Sequence, residues 1–471
     1  MRILPLLTLT FILISLTAKA WIRLPSVVGS HMVLQQKSST VLWGWSDPGE
    51  KIYVTTSWNN RTDSVNATGD AKWRITIPTP AAGGPYTITL RGSNTIVLND
   101  ILVGEVWVCS GQSNMEWSSY HNNQQIIDEL PNATNNNIRL FQVPKTTAVY
   151  PQDDCRAEWK VCSPETLKGF SAVGYFFGKK LQSTLNVPIG LINASWGGTP
   201  AETWTPAPVV SDNPSLAAAA ARLKPTSWWP DKPGRAFNAM IAPLTTHSIA
   251  GVIWYQGESN TETAATYNEL MKAMIGSWRD AWKSSFPFYY VQIAPFKYGN
   301  RNIGALLREQ QATTLELTRT GMVVTTDLVD NINDIHPKDK RTVGLRLAEL
   351  ALHENYKQPG VYAGYPTFDR MEIKGKKVDL YFKHAEGGLL LREGKAASDF
   401  YVAGSDQKFY PASVRLSKDR LTLESKAVPN PVAVRFAFDN VAMPNIMNKQ
   451  GLPLVPFRTD NWQVDTSEEP K

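Results

Sequence analysis

The chain has 471 residues, too many for one ordinary domain, and its 42% hydrophobic and 19% charged residues describe a globular protein with a sizeable core. A formal net charge of +6, from 48 basic and 42 acidic residues scattered without a basic run, excludes a nucleic-acid-binding surface and global disorder. The 16 Trp stand out, because such rings stack on sugars and also fill sheet cores.

In chain order, residues 1–20 carry Arg2, an apolar run and Ala18-Lys19-Ala20, the pattern of an export signal with a small-x-small cleavage site. The run falls short of the about 20 apolar residues that a membrane span needs, and no later segment reaches that length. The expectation is a mature chain from near Trp21, exported to the periplasm or the extracellular space and without a membrane span. Residues 21–100 alternate short β runs (40–45, 51–54) with turns such as Asp47-Pro48-Gly49-Glu50, which predicts an N-terminal β domain of sandwich type. From 101 to 357, buried-type strands at 105–109, 189–193, 252–255, 289–293 and 322–326 alternate with helical stretches at 267–282 and 338–354. That alternation predicts an α/β unit with a parallel sheet flanked by helices. Residues 153–163 and 204–233 read as loop excursions. Residues 358–471 return to β runs at 377–382, 388–392, 414–416 and 432–436, a second β-rich region. Cys109 reads as a buried thiol in a strand, whereas the spacing of Cys155 and Cys162 allows a local disulfide in an oxidising compartment.

Four predicted strand ends carry groups suited to acyl transfer, at the sheet edge where α/β folds build their sites. The first runs into Gly111-Gln112-Ser113-Asn114-Met115, with Ser113 at a strand-to-helix corner; most serines so placed only cap a helix. A serine nucleophile needs a base. Of six histidines, His336 lies in a loop after another strand, in Asp334-Ile335-His336-Pro337, and His121 is the minor competitor. Asp334, with Asp330 behind it, is the carboxylate that would orient His336, unless it caps the following helix. The third strand ends in Gln256-Gly257-Glu258-Ser259-Asn260, where the Gln256 amide is a candidate oxyanion donor. Glu258 there is either a supporting acid or a loop hydrogen-bonder. The fourth ends in Asn193-Ala194-Ser195-Trp196-Gly197-Gly198, and the paired glycines either bring a backbone N–H to substrate or form a plain turn.

Together these motifs resemble the sialate O-acetylesterase branch of the SGNH-hydrolase (GDSL-like) carbohydrate esterases. Supporting matches are Met32-Val33-Leu34-Gln35, Asn238-Ala239-Met240-Ile241-Ala242-Pro243-Leu244 and Pro456-Phe457-Arg458-Thr459-Asp460. The resemblance implies a three-layer catalytic domain, a parallel sheet with helices on both faces, flanked by the two β-sandwich-like regions. It also implies a Ser113–His336 hydrolase that needs no metal or organic cofactor. Its oxyanion donors would be the backbone N–H groups of Ser113 and of Gly197 or Gly198, with the Gln256 side chain. Asn114, Trp196, Glu202, Trp204 and Glu258 are the candidate contacts to an O-acetylated glycan, with structural packing the equal alternative for Trp196, Glu202 and Trp204. One departure is Asn333, where the wider group carries the orienting Asp, so Asp334 serves or the site is a dyad. Sialic acids are the expected substrate. An acetyl-xylan or other plant-glycan acetylesterase shares similar motifs, and a non-catalytic carbohydrate-binding protein is the reading of another class.

Overall fold

The computed structural model describes residues 21–394, 396–418 and 420–468; the export-type leader, residues 1–20, lies outside them. The front of the chain forms strands β1 (Val33–Gln35), β2 (Ser39–Trp45), β3 (Lys51–Thr56), β4 (Arg61–Asn66), β5 (Lys72–Pro78), β6 (Gly83–Arg91) and β7 (Thr95–Gly111). Antiparallel β2 and β5 make one pair; β4, β3, β6 and β7 make a second sheet, with β1 parallel to β7. Alternation along β3 buries Ile52 and Val54 while Lys51 stays exposed, as a strand with one core face requires.

The boundary expected at residue 100 falls inside β7. Its first part pairs with β6 and its last part, Glu105–Gly111, pairs with two strands of the central sheet. Asp100 bends it, with a φ of 56°. The Asp100 carboxylate takes a two-pronged bond from Arg139 at 2.9 and 2.8 Å and lies 2.7 Å from His31 Nδ1, so the bend also joins the two sheets.

The central sheet adds β8 (Asn135–Gln142), β9 (Trp159–Cys162), β10 (Ile189–Ser195), β11 (Gly251–Tyr255), β12 (Phe288–Val291) and β13 (Thr320–Val323), in the order β13-β12-β11-β7-β10-β8-β9. Every pairing along that order is parallel except that of β9. The stretch expected as a loop excursion at 153–163 thus ends in an edge strand. Cys155 and Cys162 are buried free thiols, each pushed up to about 12 by burial, so the local disulfide does not form. The connection after β7 runs to β8 on one side, whereas that after β10 crosses to β11 on the other, which opens a crevice at the C-terminal ends of β7 and β10.

The main helices are α1 (Ser113–Glu116), α2 (Ala172–Leu185), α3 (Tyr267–Trp282), α4 (Ile303–Thr313) and α5 (Lys340–Glu354). Trp107 of β7 stacks edge-on with Phe177 of α2, and Gly174 of α2 lies against Cys109. Trp254 pairs in register with Ser110, one step out of phase with Cys109, and so faces the other way, onto Trp278 of α3. Helices therefore cover both faces. Gly344 of α5 approaches Val173 so closely that a Cβ would come within 2.7 Å of its carbonyl oxygen, which fixes α5 beside α2. No helix among the described residues is long and apolar enough to cross a membrane.

Trp254 is fully buried, edge-to-face with both Trp204 and Trp278 at about 6 Å. Trp254→Ala is expected to cost about 3–5 kcal/mol through lost burial and the cavity left behind, read as a lower denaturation midpoint in urea. A loss below about 1 kcal/mol would mean that the neighbouring rings collapse into the space.

Beyond α5 the chain builds two four-stranded antiparallel sheets over their own core, which includes Leu380, Leu421, Val434 and Phe436. This region grips α4 through Arg458, bonded to both carboxylate oxygens of Glu309 at 2.7 and 3.0 Å.

Candidate active site

Four chain segments meet at the C-terminal end of β7. Gly111, the last residue of β7, has a φ of +131°, and a Cβ there would come within 2.2 Å of the Tyr255 carbonyl oxygen. Only glycine lets β7 turn that sharply against β11. Two residues later Ser113 opens the single-turn helix α1, where the first N–H groups have no intrahelical acceptor.

His336 Nε2 lies 2.9 Å from Ser113 Oγ, so the two residues expected as nucleophile and base do meet. Asp334 accepts the His336 backbone N–H at 2.9 Å, and the same Oδ1 lies 3.4 Å from the ring Nδ1. That contact is longer than the usual 2.7–3.2 Å hydrogen bond. Asp330, the second carboxylate candidate, pairs with Lys338 instead. Asp339, not Asp334, caps α5 by accepting the Thr342 N–H, and for that reason the helix starts two residues later than its sequence pattern predicts. His121 does not reach the serine. It stacks on Trp117, and Trp117 stacks on His336 with ring centres 4.9 Å apart and planes at 21°. Burial pulls His336 below the usual histidine range. The charge of Lys340 adds to that pull and Asp334 opposes it.

Beneath this pair is a buried polar floor, and several residues expected at the substrate belong to it. Asn114 is fully buried and donates to Glu258 Oε1 at 2.6 Å and to the Ile335 carbonyl at 3.1 Å. Glu258 is buried with it, and desolvation holds its carboxyl above the usual range. Gln256 has no exposed surface and its amide is committed: it donates to Asn260 Oδ1 and the Thr199 carbonyl, and its oxygen accepts from Tyr267. It braces the loops instead of facing an acyl group. Glu202 accepts from Asn260 Nδ2 at 2.8 Å, and Trp204 is packed against Trp254. Both are interior groups, drawn in by the core that Trp254 anchors.

The glycine turn lies at the serine. A Cβ on Gly197 would come within 3.3 Å of Ser113 Cβ. The Gly197 N–H, however, already donates to Glu116 Oε2 at 2.5 Å, and the other oxygen of Glu116 pairs with Lys145. Gly198, with a φ of +79°, finds no acceptor for its N–H among the described residues and lies under the Trp229 ring. Trp196 lines a hollow of about 320 Å³ with Trp228 and Trp229. On the other side Glu116 and His121 border a hollow of about 760 Å³ that Lys145, Arg156 and Lys160 also line. Glu116, Trp117 and Lys340 were missed on sequence; only the closeness of the first two to Ser113 hinted at a role.

The family model for carbohydrate esterase, sialic acid-specific acetylesterase, matches residues 103–353, more than half of the chain. The chain is 32% identical to the sialate O-acetylesterase of Homo sapiens over 467 residues, covering 88% of this chain and 87% of that protein. It is also 32% identical to that of Pongo abelii over 403 residues, 75% of each. A crystal structure of a carbohydrate acetylesterase from Xanthomonas citri superposes with a TM-score of 0.85 at 37% identity, covering 94% of this chain and all of that one. The chain belongs to the sialic acid-specific acetylesterase family of carbohydrate esterases and is a carboxylic ester hydrolase.

Proposed function

We propose that this protein is an exported serine esterase, with a catalytic domain of SGNH-hydrolase type, that removes O-acetyl groups from sialic acid-bearing glycans through an acetyl-serine intermediate. The observation that carries the reading is the 2.9 Å contact between His336 Nε2 and Ser113 Oγ in a member of a carbohydrate esterase family. Ser113 Oγ attacks the acetyl carbonyl carbon while His336 takes its proton. The Ser113 and Gly198 N–H groups meet the tetrahedral oxyanion; one such donor typically accounts for about 10²–10³-fold in rate. Collapse breaks the bond to the sugar oxygen, which leaves with the proton from His336. Water, deprotonated by His336, then attacks the acetyl-serine and frees acetate and Ser113. These steps draw on protein groups and water alone.

Two features support an acidic sugar. Trp196 and Trp229 offer flat faces for a sugar ring beside the glycine turn. In the hollow bordered by Glu116, Arg156 has no carboxylate within ion-pair reach among the described residues and suits the carboxylate of a sialic acid. The leader pattern of residues 1–20 supports export.

The test is acetate release by the mature protein, beside Ser113→Ala, from O-acetylated sialoglycan and from acetylated xylan. Release from sialoglycan alone, lost in the variant, is the expected result. Xylan-selective release would keep the serine mechanism and overturn the sugar; equal release by wild type and variant would remove Ser113 from the mechanism.

A further inference from the structure

Lys340 is a costly residue where it stands. It opens α5, so its charge opposes the positive end of the helix dipole. It is only 1% exposed, and its ammonium has lost its water. Among the described residues no carboxylate lies within 4 Å of it to form an ion pair. Its Nζ donates instead to Asn114 Oδ1 at 2.5 Å and lies over the rings of Trp117, at 5.0 Å, and Tyr255, at 5.7 Å. An arrangement that stability alone would disfavour asks for another explanation.

The partners supply one. An ammonium only donates and a carboxylate only accepts, so Lys340 on one side and Glu258 on the other fix which way the Asn114 amide points. The same amide donates to the carbonyl of Ile335. Asn114 follows the nucleophile and Ile335 precedes the base, so this bond ties the two catalytic loops together. Trp117, which meets the Lys340 ammonium, is also the ring on which His336 stacks. Glu258 Oε2 has no hydrogen-bond partner among the described residues, and its charge favours the ammonium of Lys340.

We infer that Lys340 is a positioning residue: through Asn114 and Trp117 it holds Ser113 and His336 in register, and it sets a positive charge against the ring on which His336 stacks. The inference rests on the proposed Ser113–His336 esterase. Burial pushes the Lys340 ammonium down to about 7, with Glu258, Asp334, Asp339 and Asp330 opposing that fall. Below pH 7 the amine therefore carries its proton, in the range where His336 would take one up. Burial, then the charge of Lys340 and, to a lesser degree, His121 disfavour that uptake, and Asp334 favours it. Two positive charges placed close together are held apart in their titration. Activity then survives to lower pH than an ordinary histidine base would allow.

The experiment is the pH profile of kcat/KM on phenyl acetate for wild type, Lys340→Gln and Lys340→Met, with Ser113→Ala as baseline and thermal melts to confirm folding. Lys340→Gln keeps a donor for Asn114 without the charge. Its acid limb is expected to move up, with the plateau within about threefold of wild type. Lys340→Met removes donor and charge together; the same shift is expected, and kcat on the plateau falls a further tenfold or so with KM unchanged. An acid limb that stays with wild type in folded Lys340→Gln would overturn the role of the charge. A plateau in folded Lys340→Met equal to that of Lys340→Gln would overturn the positioning role. If hydrolysis by wild type does not depend on Ser113, the esterase reading itself fails, an outcome the baseline variant reports separately.

Discussion

Ser113→Ala is expected to lower kcat for O-acetyl hydrolysis by about 10⁴–10⁶-fold with KM nearly unchanged, and His336→Ala to do about the same. In the proposed mechanism the hydroxyl and the imidazole act in the transition state and contribute little to holding the ground-state ester, so the loss falls on kcat. The more telling result is the double variant. The 2.9 Å contact makes one unit of the two side chains: without the base the hydroxyl is inert, and without the hydroxyl the base has nothing to deprotonate. Ser113→Ala/His336→Ala is therefore expected to be no slower than either single variant. Acetate release over long incubations measures all three. Additive losses, near the square of a single one, would show that the residues act independently and would sink the mechanism.

Asp334→Asn is expected to lower kcat by about 10²–10³-fold, less than the about 10⁴-fold seen when a tightly bonded triad carboxylate is neutralised. The smaller figure follows from the 3.4 Å separation between Asp334 Oδ1 and His336 Nδ1. An asparagine there can still accept the His336 backbone N–H, so the loop keeps its shape while the ring loses its negative neighbour. The pH profile carries the sign. Asp334 raises the affinity of His336 for a proton, so its neutralisation moves the acid limb down even as the plateau falls. That is opposite to the direction expected for Lys340→Gln. A plateau within twofold of wild type would make the site a Ser–His dyad.

The parts of the site legible in the sequence were those announced by local texture. Ser113 follows an apolar strand at the start of α1 and His336 lies in the polar loop between β13 and α5, and the fold brings both to one sheet edge. The α3 helix was legible to its ends because Leu270, Met271, Met274, Ile275 and Trp278 recur at helical spacing and are all buried. In contrast α2 is buried along most of its length from Ala172 to Leu181, and a helix apolar on several sides loses the periodicity that marks it. Polar groups such as Gln256, Glu258 and Glu202 were ambiguous for a different reason. A polar cluster at a strand end serves catalysis and loop bracing equally well, and only the partners from Asn260, Tyr267 and Asn114 decide which. Lys340 had no local signature at all, since a lysine beside Asp339 reads as solvated and the residue that receives it, Asn114, is 226 positions away.

The continuity of β7 has a consequence for how this enzyme tolerates change. A single run of extended backbone passes from the front strands, across the bend held by Asp100 and Arg139, to the turn that carries Ser113. The front region is thus not an appendage that trimming could remove: a chain started at Ile101 would leave residues 101–104, next to the stretch that leads to Ser113, without their partners in β1 and β6. Grafting a foreign module at the same point would replace one end of a lever whose other end sets the reach of the hydroxyl. Insertions that enlarge or retarget the enzyme are better borne at the far side of the molecule, beyond α5, where the chain has already left the sheet.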